Sequence, residues 1–266
     1  MKLAFDHLVH FSHDPNEVIT QLKEHRIHAV QGGQHEKWGT YNTLAYFGLP
    51  YIEWLGMNDS SLAQTVSDNE LIKKFVRDYS KGSHFGTFAL RTDNMSELKE
   101  RLQNDGYKMI GPVAGSRRTE NGQLLEWSML FVQEATTDLE MPFFIQWGQE
   151  DDERLQSLQP FLNHDKQNLQ FDALYLVTPD MNQLSTKWSE LFQIQADPPD
   201  FSPSLQGRCQ TLHLDGVKLI ICEPTEGGVA AKFYETFGAG PFLASFSNAP
   251  HRQSFSLQGG CFSLHP

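Results

Sequence analysis

The 266-residue chain has little cysteine and little positive charge. Its three cysteines, Cys209, Cys222 and Cys261, all lie in the last third and form no CxxC spacing. We therefore expect reduced thiols in a cytoplasmic protein and no disulfide framework. The 33 Asp and Glu residues outnumber the 21 Lys and Arg residues, which gives a net charge of −12. This acidic balance disfavours nucleic acid and anionic lipid surfaces as partners.

The chain also lacks long apolar runs and the common catalytic signatures. No stretch reaches the length of a membrane span, and the apolar start of the chain is broken by Asp6 and His7, so it does not predict a signal peptide. There is no Walker A motif, no dinucleotide fingerprint, no G-x-S-x-G elbow and no HExxH helix. These absences exclude the most recognisable nucleotide-binding, serine hydrolase and zinc protease sites.

One short phrase occurs three times. It reads FDHLVHFSHD at 5–14, FGTFALRTD at 85–93 and FDALYLVTPD at 171–180. Each copy is a strand-like apolar run that ends in Asp and precedes a helical pattern. Copies at roughly eighty to ninety residues are too far apart for a solenoid. The spacing predicts a repeated half-domain.

The first two copies each begin one helix and several strands. Asp14 and Pro15 predict a helix start after the first strand, and Asn121-Gly122 predicts a tight turn between two later strands. Residues 59–80 are expected to form a connecting helix, either continuous or interrupted at Asp68-Asn69. The predicted strands are 3–12, 41–47, 51–55, 84–91, 107–117, 124–132 and 142–148, with a helix at 94–105.

The last third has a different organisation. Residues 151–169 are acidic and rich in Gln, which indicates a linker with a short helix. The third copy then predicts a unit in 170–266, with a helix at 180–192 and strands at 209–214 and 217–222. The extended tail is either the end of this unit or a partial fourth unit.

Five motifs indicate a family. They are DHLVH (6–10), GGQHEKWGTYNTL (32–44), YIEWLG (51–56), SRRTENG (116–122) and PFFIQWG (142–148). Together with the β-α-β-β-β order, they resemble the vicinal oxygen chelate superfamily, which includes glyoxalase I and extradiol dioxygenases, and more narrowly its uncharacterised bacterial glyoxalase-like proteins. The resemblance implies an α+β fold of repeated βαβββ units, whose curved, mainly antiparallel sheets enclose a cavity. Residues 1–150 would form one paired domain.

The same resemblance implies a divalent metal held by the first and last strand of each unit. His7 and Glu53 match the two positions of the first unit, and their chemistry suits Zn, Ni, Mn or Fe. In the second unit, alignment of YIEW with FIQW puts Gln146 opposite Glu53, and Gly86 or Thr87 opposite His7. The set would therefore be incomplete.

Three residues are candidates for chemistry. Glu53 lies in an apolar strand, where a carboxylate is costly to bury unless it is paired. It is a metal ligand, an acid/base partner of His7, or an exposed residue of an edge strand. His7 lines the cavity or is a core histidine, and alternation places it on one face with Phe5 and Val9. His35, in a Gly-rich loop, is a third ligand, a base or a solvated side chain.

A second group of residues is expected to bind the ligand. Either Arg117 or Arg118 would face the cavity, where it would suit a carboxylate or phosphate. Tryptophans on strands are core residues or flat platforms for a small apolar molecule. The predicted ligand-binding residues are Asn42, Trp54, Arg117, Trp127, Gln146 and Trp147.

These residues leave three functions open. The first is a glyoxalase-like enzyme of the lyase, isomerase or dioxygenase type, acting on a small oxygenated molecule with or without a metal. The second is a metal-free cavity that sequesters a small molecule, as drug-resistance proteins of the superfamily do. The third is an interaction scaffold. Unpaired sheet edges would also favour a homodimer.

Overall fold

The computed structural model describes residues 1–119, 122–133, 141–165 and 168–266. The predicted turn residue Asn121 lies outside these ranges. In the described residues the strands form two eight-stranded sheets, and none of the helices is long and apolar enough to cross a membrane.

The first sheet is built from two similar units. The first unit contains β1 (Leu3–Phe11), α1 (Pro15–Glu24), β2 (Val30–His35), β3 (Thr40–Tyr46) and β4 (Tyr51–Met57). After α2 (Ser60–Thr65), α3 (Glu70–Asp78) and a short 3-10 turn, the second contains β5 (His84–Thr92), α4 (Met95–Asn104), β6 (Lys108–Arg118), β7 (Leu124–Gln133) and β8 (Phe143–Trp147). The predicted helix at 59–80 is therefore two helices, because Asn69 begins a new one by accepting from the amides of Leu71 and Ile72.

The strand order of this sheet is β2-β3-β4-β1-β5-β8-β7-β6. The repeated phrases lie at its centre, where β1 and β5 pair antiparallel and each pairs in parallel with the last strand of its own unit. The two edges come together, since the Arg117 guanidinium on β6 donates a hydrogen bond to the Gly32 carbonyl on β2. The sheet therefore curls into a half-barrel with a cavity on its inner face.

Side-chain caps explain the polar residue that ends each phrase. Asp14 and Asp180 accept hydrogen bonds from backbone amides of the first helical turn, which satisfies donors that have no partner within the helix. In the second unit the cap is Asn94, one residue after the Asp of the phrase.

The second sheet has a related topology, but its second half, in residues 240–264, contains three strands and no helix. After α5 (Asp151–Leu158), it contains β9 (Gln170–Val177), α6 (Met181–Phe192), β10 (Gln195–Ala196), β11 (Asp200–Ser202), β12 (Gly207–Leu214), β13 (Val217–Cys222), α7 (Val229–Phe237), β14 (Gly240–Ser247), β15 (Gln253–Leu257) and β16 (Gly260–Leu264). Its order is β10-β12-β13-β9-β14-β16-β15, with β11 also paired to β12. In it, β14 takes the place beside β9 that β5 takes beside β1. Strand β15 lies at an edge of this sheet. The homodimer stays a prediction.

The two sheets pack together through a shared aromatic core. Phe5 lies 4.9 Å from Phe171 and Phe85 lies 5.3 Å from Phe262, measured between ring centroids. This core buries the face of the first sheet that points away from the cavity. On its other face, the second sheet packs against α7, with Phe233 and Phe242 in contact. The open concave face therefore belongs to the first sheet.

Buried histidines make this fold sensitive to acid. Burial lowers the pKa of His10, in the shared core, from its ordinary value of 6.5 to about 3. Burial likewise lowers the pKa of His164 to about 4, and its Nε2 donates to the Tyr46 carbonyl. Between about pH 4 and 6.5 the unfolded chain therefore binds protons that the folded chain does not.

We expect the free energy of unfolding to be highest above pH 6.5 and to fall as the pH is lowered through this window. Urea titrations at pH 7.5, 6.0 and 4.5 would measure the change. His164→Gln should reduce the pH dependence, whereas the control His213→Gln, on an exposed side chain, should leave it unchanged. Equal stability at pH 7.5 and 4.5 would contradict the expectation.

Candidate functional site

The inner face of the first sheet encloses about 780 Å³, including the part that opens to solvent. Helix α3 covers part of it with Leu71 and Ile72, and α5 covers another part with Arg154 and Leu158. The walls are mostly apolar and aromatic, with a few polar groups that point inward. This composition is typical of a small-molecule site. The polar lining residues are His7, His35, Asn42, Glu53, Asn69, Arg117, Gln149, Arg154 and Ser157.

A β-bulge in β1 determines which residues reach the cavity. Phe5 pairs with Leu90 and His7 pairs with Ala89, so Asp6 is an extra residue on this strand. The bulge resets the alternation of side chains. Phe5 therefore lies in the core between the sheets, and His7 lines the cavity. The prediction that Phe5 and His7 share a face was wrong, because regular alternation does not hold across a bulge.

A buried chain of hydrogen-bonding groups begins at this bulge. His7 Nδ1 lies 2.6 Å from the Asp6 carboxylate, and His7 Nε2 lies 3.6 Å from Glu53 Oε2. The Asn42 amide donates to the other oxygen of Glu53 at 2.6 Å. His7 is 3% exposed and Glu53 is 6% exposed. The structure thus brings the two predicted residues of the first unit together as buried side chains.

Asp6 is held in its ionised form. Burial alone would raise its pKa, but the charge of Arg154 and the hydrogen bond from His7 lower that pKa to about 2. The Asp6 carboxylate also accepts from Trp147 Nε1 at 3.0 Å and lies 3.4 Å from Arg154 Nη1. An ionised carboxylate only accepts hydrogen bonds. His7 therefore donates from Nδ1 and presents Nε2 to Glu53 and the cavity.

His35 lies at the end of strand β2, so its predicted loop position was wrong. It is 6% exposed. Its Nδ1 donates to Thr40 Oγ1 at 3.0 Å, and its Nε2 accepts from the Asn42 amide at 3.5 Å. Burial lowers its pKa to about 4, against the opposing effect of the Glu53 charge. The ring is therefore neutral near pH 7.

The close approach of β2 to its neighbours explains the glycines of this segment. A side chain on Gly32 would collide with Asn42 and Leu44. Without that side chain, the Gly32 carbonyl can accept from Arg117.

Arg117 and Arg118 lie on opposite faces of β6, as alternation predicts. Arg117 is 9% exposed and lines the cavity, whereas Arg118 is exposed and donates to the Gly122 carbonyl. Trp127 and Trp147 also line the cavity, with ring centroids 5.5 Å apart. The rings of Trp127 and His35 make a T-shaped contact, with centroids 5.9 Å apart. An aromatic wall therefore stands beside the polar groups.

Two predicted ligand-binding residues lie elsewhere. Trp54 is fully buried between the sheets, 6.4 Å from Phe262, because consecutive residues of a regular strand point to opposite faces and Glu53 takes the cavity face. Gln146 points away from the cavity. Its Oε1 accepts from the Met95 amide and its Nε2 donates to the Asp93 carbonyl, so it supports the start of α4.

The strand register also corrects the expected metal ligands of the second unit. Val9 and Ala89 each lie five residues before a helix cap, and they pair with Glu53 and Phe143 respectively. Phe143, and not Gln146, therefore takes the position of Glu53. By the same count Thr87 takes the position of His7.

The donor set does not fit the four-ligand metal site that the resemblance implies. His7 and Glu53 supply two donors, but Phe143 has no ligating atom, and its ring packs edge-on 5.5 Å from His7. Within the ranges that the structure describes, no three His, Cys, Asp or Glu side chains converge as metal ligands. The chemistry of this site therefore has to be derived from the protein side chains.

Sequence reasoning missed Asp6, Asn69 and Arg154. Asp6 stood beside His7 in the repeated phrase, but only the bulge turns it toward the ring. Arg154 lies in an acidic segment that was interpreted as a linker. It shares a helix face with Leu158, four residues later, and this spacing was the one available signal. Asn69 reads as a helix cap, which gives no hint of a cavity position.

Comparisons with known proteins agree with this architecture. A hypothetical protein from Staphylococcus aureus has 19% sequence identity over 99% of both chains, with a TM-score of 0.83. A mutant of 4-hydroxymandelate synthase from Streptomyces coelicolor has 10% identity over 93% of this chain and 71% of that chain, with a TM-score of 0.58. At these identities the likeness concerns the fold.

No curated protein matches the chain. A family model described as a glyoxalase-like domain matches residues 5–192, which include the whole half-barrel, the cavity and the start of the second sheet. This chain therefore belongs to the glyoxalase-like domain family.

Proposed function

We propose that the protein is an enzyme that moves a proton at a carbon next to a carbonyl group of a small oxygenated molecule. His7 and Glu53 would be the proton-transferring groups. The observation that carries the proposal is the continuous arrangement of Asp6, His7, Glu53 and Asn42 on the wall of a buried cavity. A histidine oriented by an ionised carboxylate and aimed into a cavity is the usual form of a general base.

The hydrogen bonds assign a role to each group. Because His7 donates from Nδ1 to Asp6, its Nε2 carries the lone pair that would accept a proton from the substrate. The imidazolium that forms would be stabilised by the Asp6 charge. Glu53 Oε2, at 3.6 Å from Nε2, would accept that proton from the imidazolium and return it to another atom of the same molecule. Asn42 fixes Glu53 by donating to Oε1.

Developing negative charge on the substrate oxygen needs a donor. Asn69 is fully buried and lines the cavity, and its amide nitrogen has no hydrogen-bond partner among the described residues. Its oxygen is already used to cap α3. The amide N–H groups would therefore be free to donate to a carbonyl oxygen that displaced the side chains covering them, where exclusion of water would strengthen the bond.

A metal-free binding protein is the second candidate. Thr87 and Phe143 in place of ligands, together with the apolar walls, would also suit a cavity that holds a molecule without changing it. This function requires binding but predicts no proton exchange.

The first prediction concerns the two proton-transferring residues. In D2O, the protein should incorporate deuterium at the carbon next to the carbonyl in some members of a panel of small 2-oxo and 2-hydroxy acids and aldehydes. His7→Asn and Glu53→Gln should each lower this rate by about 10²- to 10⁴-fold, because each removes a proton acceptor. Proton NMR would measure the exchange.

The matched control is His213→Asn, which changes an exposed histidine on the second sheet and should exchange at the rate of the unmodified protein. Equal rates in all variants would contradict the roles of His7 and Glu53. Binding of a panel member without any exchange would favour the binding protein.

The second prediction concerns Asp6 as a positioning residue. Asp6→Asn should lower the exchange rate by about a hundredfold, since the tautomer of His7 and the charge that stabilises it both depend on Asp6. A ¹⁵N NMR spectrum should show one His7 tautomer, with its proton on Nδ1, in the unmodified protein and a mixture in the variant. Asp172→Asn, which removes a carboxylate paired with Lys218, is the control. An unchanged tautomer with a lower rate would contradict the positioning role.

The third prediction concerns metal. Because the second unit supplies Thr87 and Phe143, the exchange rate should be the same after chelation and after incubation with Zn, Ni, Mn or Fe(II). Elemental analysis of the purified protein gives an independent measurement. A stoichiometric metal that is lost in both His7→Asn and Glu53→Gln would contradict this prediction.

A further inference from the structure

Arg117 is a buried cation that has no carboxylate partner among the described residues. Its guanidinium donates to the Gly32 carbonyl and lies close enough to Tyr46 to oppose the rise in that hydroxyl's pKa that burial causes. In residues 1–119, 122–133, 141–165 and 168–266, no Asp or Glu oxygen lies within 4 Å of it. The other cavity cation, Arg154, is paired with Asp6 at 3.4 Å and lies 3.8 Å from Asp151.

A guanidinium without a counter-charge is expensive to keep out of water. The other charged groups of the cavity do not supply this counter-charge. Asp6 and Arg154 compensate each other, and Glu53 is held by Asn42 and faces His7. Both Glu53 oxygens are therefore engaged by other residues, and among the described residues Arg117 is the cavity cation with no carboxylate within 4 Å. Its guanidinium is left for a ligand.

The surroundings of Arg117 limit the rest of that ligand. Trp38, Trp127, Trp147 and Met129 line the same cavity, and the rings of Trp38 and Trp127 lie 6.5 Å apart. Such walls favour a flat apolar body. A single fork-shaped cation suits a carboxylate better than a phosphate dianion, which would bring a second uncompensated charge.

We propose that the substrate is a small monocarboxylate with a planar or apolar body, and that Arg117 binds its carboxylate. This inference rests on the proposed function, because the same molecule would place its reacting carbon against His7 and Glu53. The structural alternative is that Arg117 only joins the edges β2 and β6 through Gly32. The two roles differ in what removal of the charge does to binding.

Calorimetry and tryptophan fluorescence with four probes test the inference. Benzoate and phenylacetate carry the carboxylate, and benzamide and phenylacetamide have nearly the same shape without the charge. The carboxylates should bind the unmodified protein at least about tenfold more tightly than the amides, because a buried charge-assisted pair is worth more than a neutral hydrogen bond. Phenyl phosphate should bind more weakly than benzoate.

Variants of the two neighbouring arginines provide the matched comparison. Arg117→Gln should lose about tenfold or more of carboxylate affinity with little change for the amides, and Arg117→Lys should fall between, since it keeps the charge but not the fork. Arg118→Gln, on the opposite face, should bind all probes as the unmodified protein does. If Arg117→Gln does not fold, the comparison of carboxylates with amides and the Arg117→Lys variant still decide the question.

Three results would overturn the inference: no carboxylate binding up to millimolar concentration, equal binding of carboxylates and amides, or full carboxylate affinity in a folded Arg117→Gln variant. Tighter binding of phenyl phosphate would overturn the monocarboxylate class. A different result would show that the proposed function fails while the carboxylate site is correct. In that case the carboxylates bind and depend on Arg117, but the protein catalyses no deuterium exchange.

Discussion

The β-bulge at Asp6 is the constraint on which the site depends. One extra residue in β1 lets an ionised carboxylate lie beside the histidine that follows it in sequence. Regular alternation would turn one of the two toward the core. The buried Asp6 is tolerable because Trp147 and Arg154 bind its second oxygen. Trp147 lies at the end of β8, and Arg154 lies in the following helix, α5. The bulge thus links the first strand to the segment that follows the last strand.

The repeated units have diverged in what their inner faces carry. In the first unit that face holds His7 and Glu53, and in the second it holds Thr87 and Phe143 at corresponding positions. The second sheet has a similar strand order with a shorter second half, but its inner face packs against α7 through an apolar cluster. Symmetry of the backbone therefore does not extend to the chemistry. The asymmetry gives the cavity one wall with His7 and Glu53 and a facing wall with Phe143 and the indole rings of Trp127 and Trp147.

Much of this site could be predicted from the sequence, for identifiable reasons. A carboxylate in an otherwise apolar strand singled out Glu53, and the repeated phrase singled out His7. Alternation correctly separated Arg117 from Arg118. Prediction failed where it needed a register: Gln146 was placed by the similarity of two short motifs, but the parallel pairing of β5 with β8 aligns Phe143 instead. Trp54 was chosen for its type, although its neighbour Glu53 already occupied the cavity face. Arg154 lies far along the chain and reaches Asp6 only through folding.

The sequence alone determined the repeated strand-helix unit, because apolar periodicity and helix caps are local properties that survive in any single copy. The family and its α+β architecture followed from the resemblance of five motifs. The sequence also determined which side chains were unusual for their surroundings. Only the tertiary structure decided which of them meet. Burial, the closure of β2 against β6 and the bulge at Asp6 arise from pairing between distant strands. A pairing that shifts by one residue reverses the face of a side chain, and a local pattern carries no information on that shift.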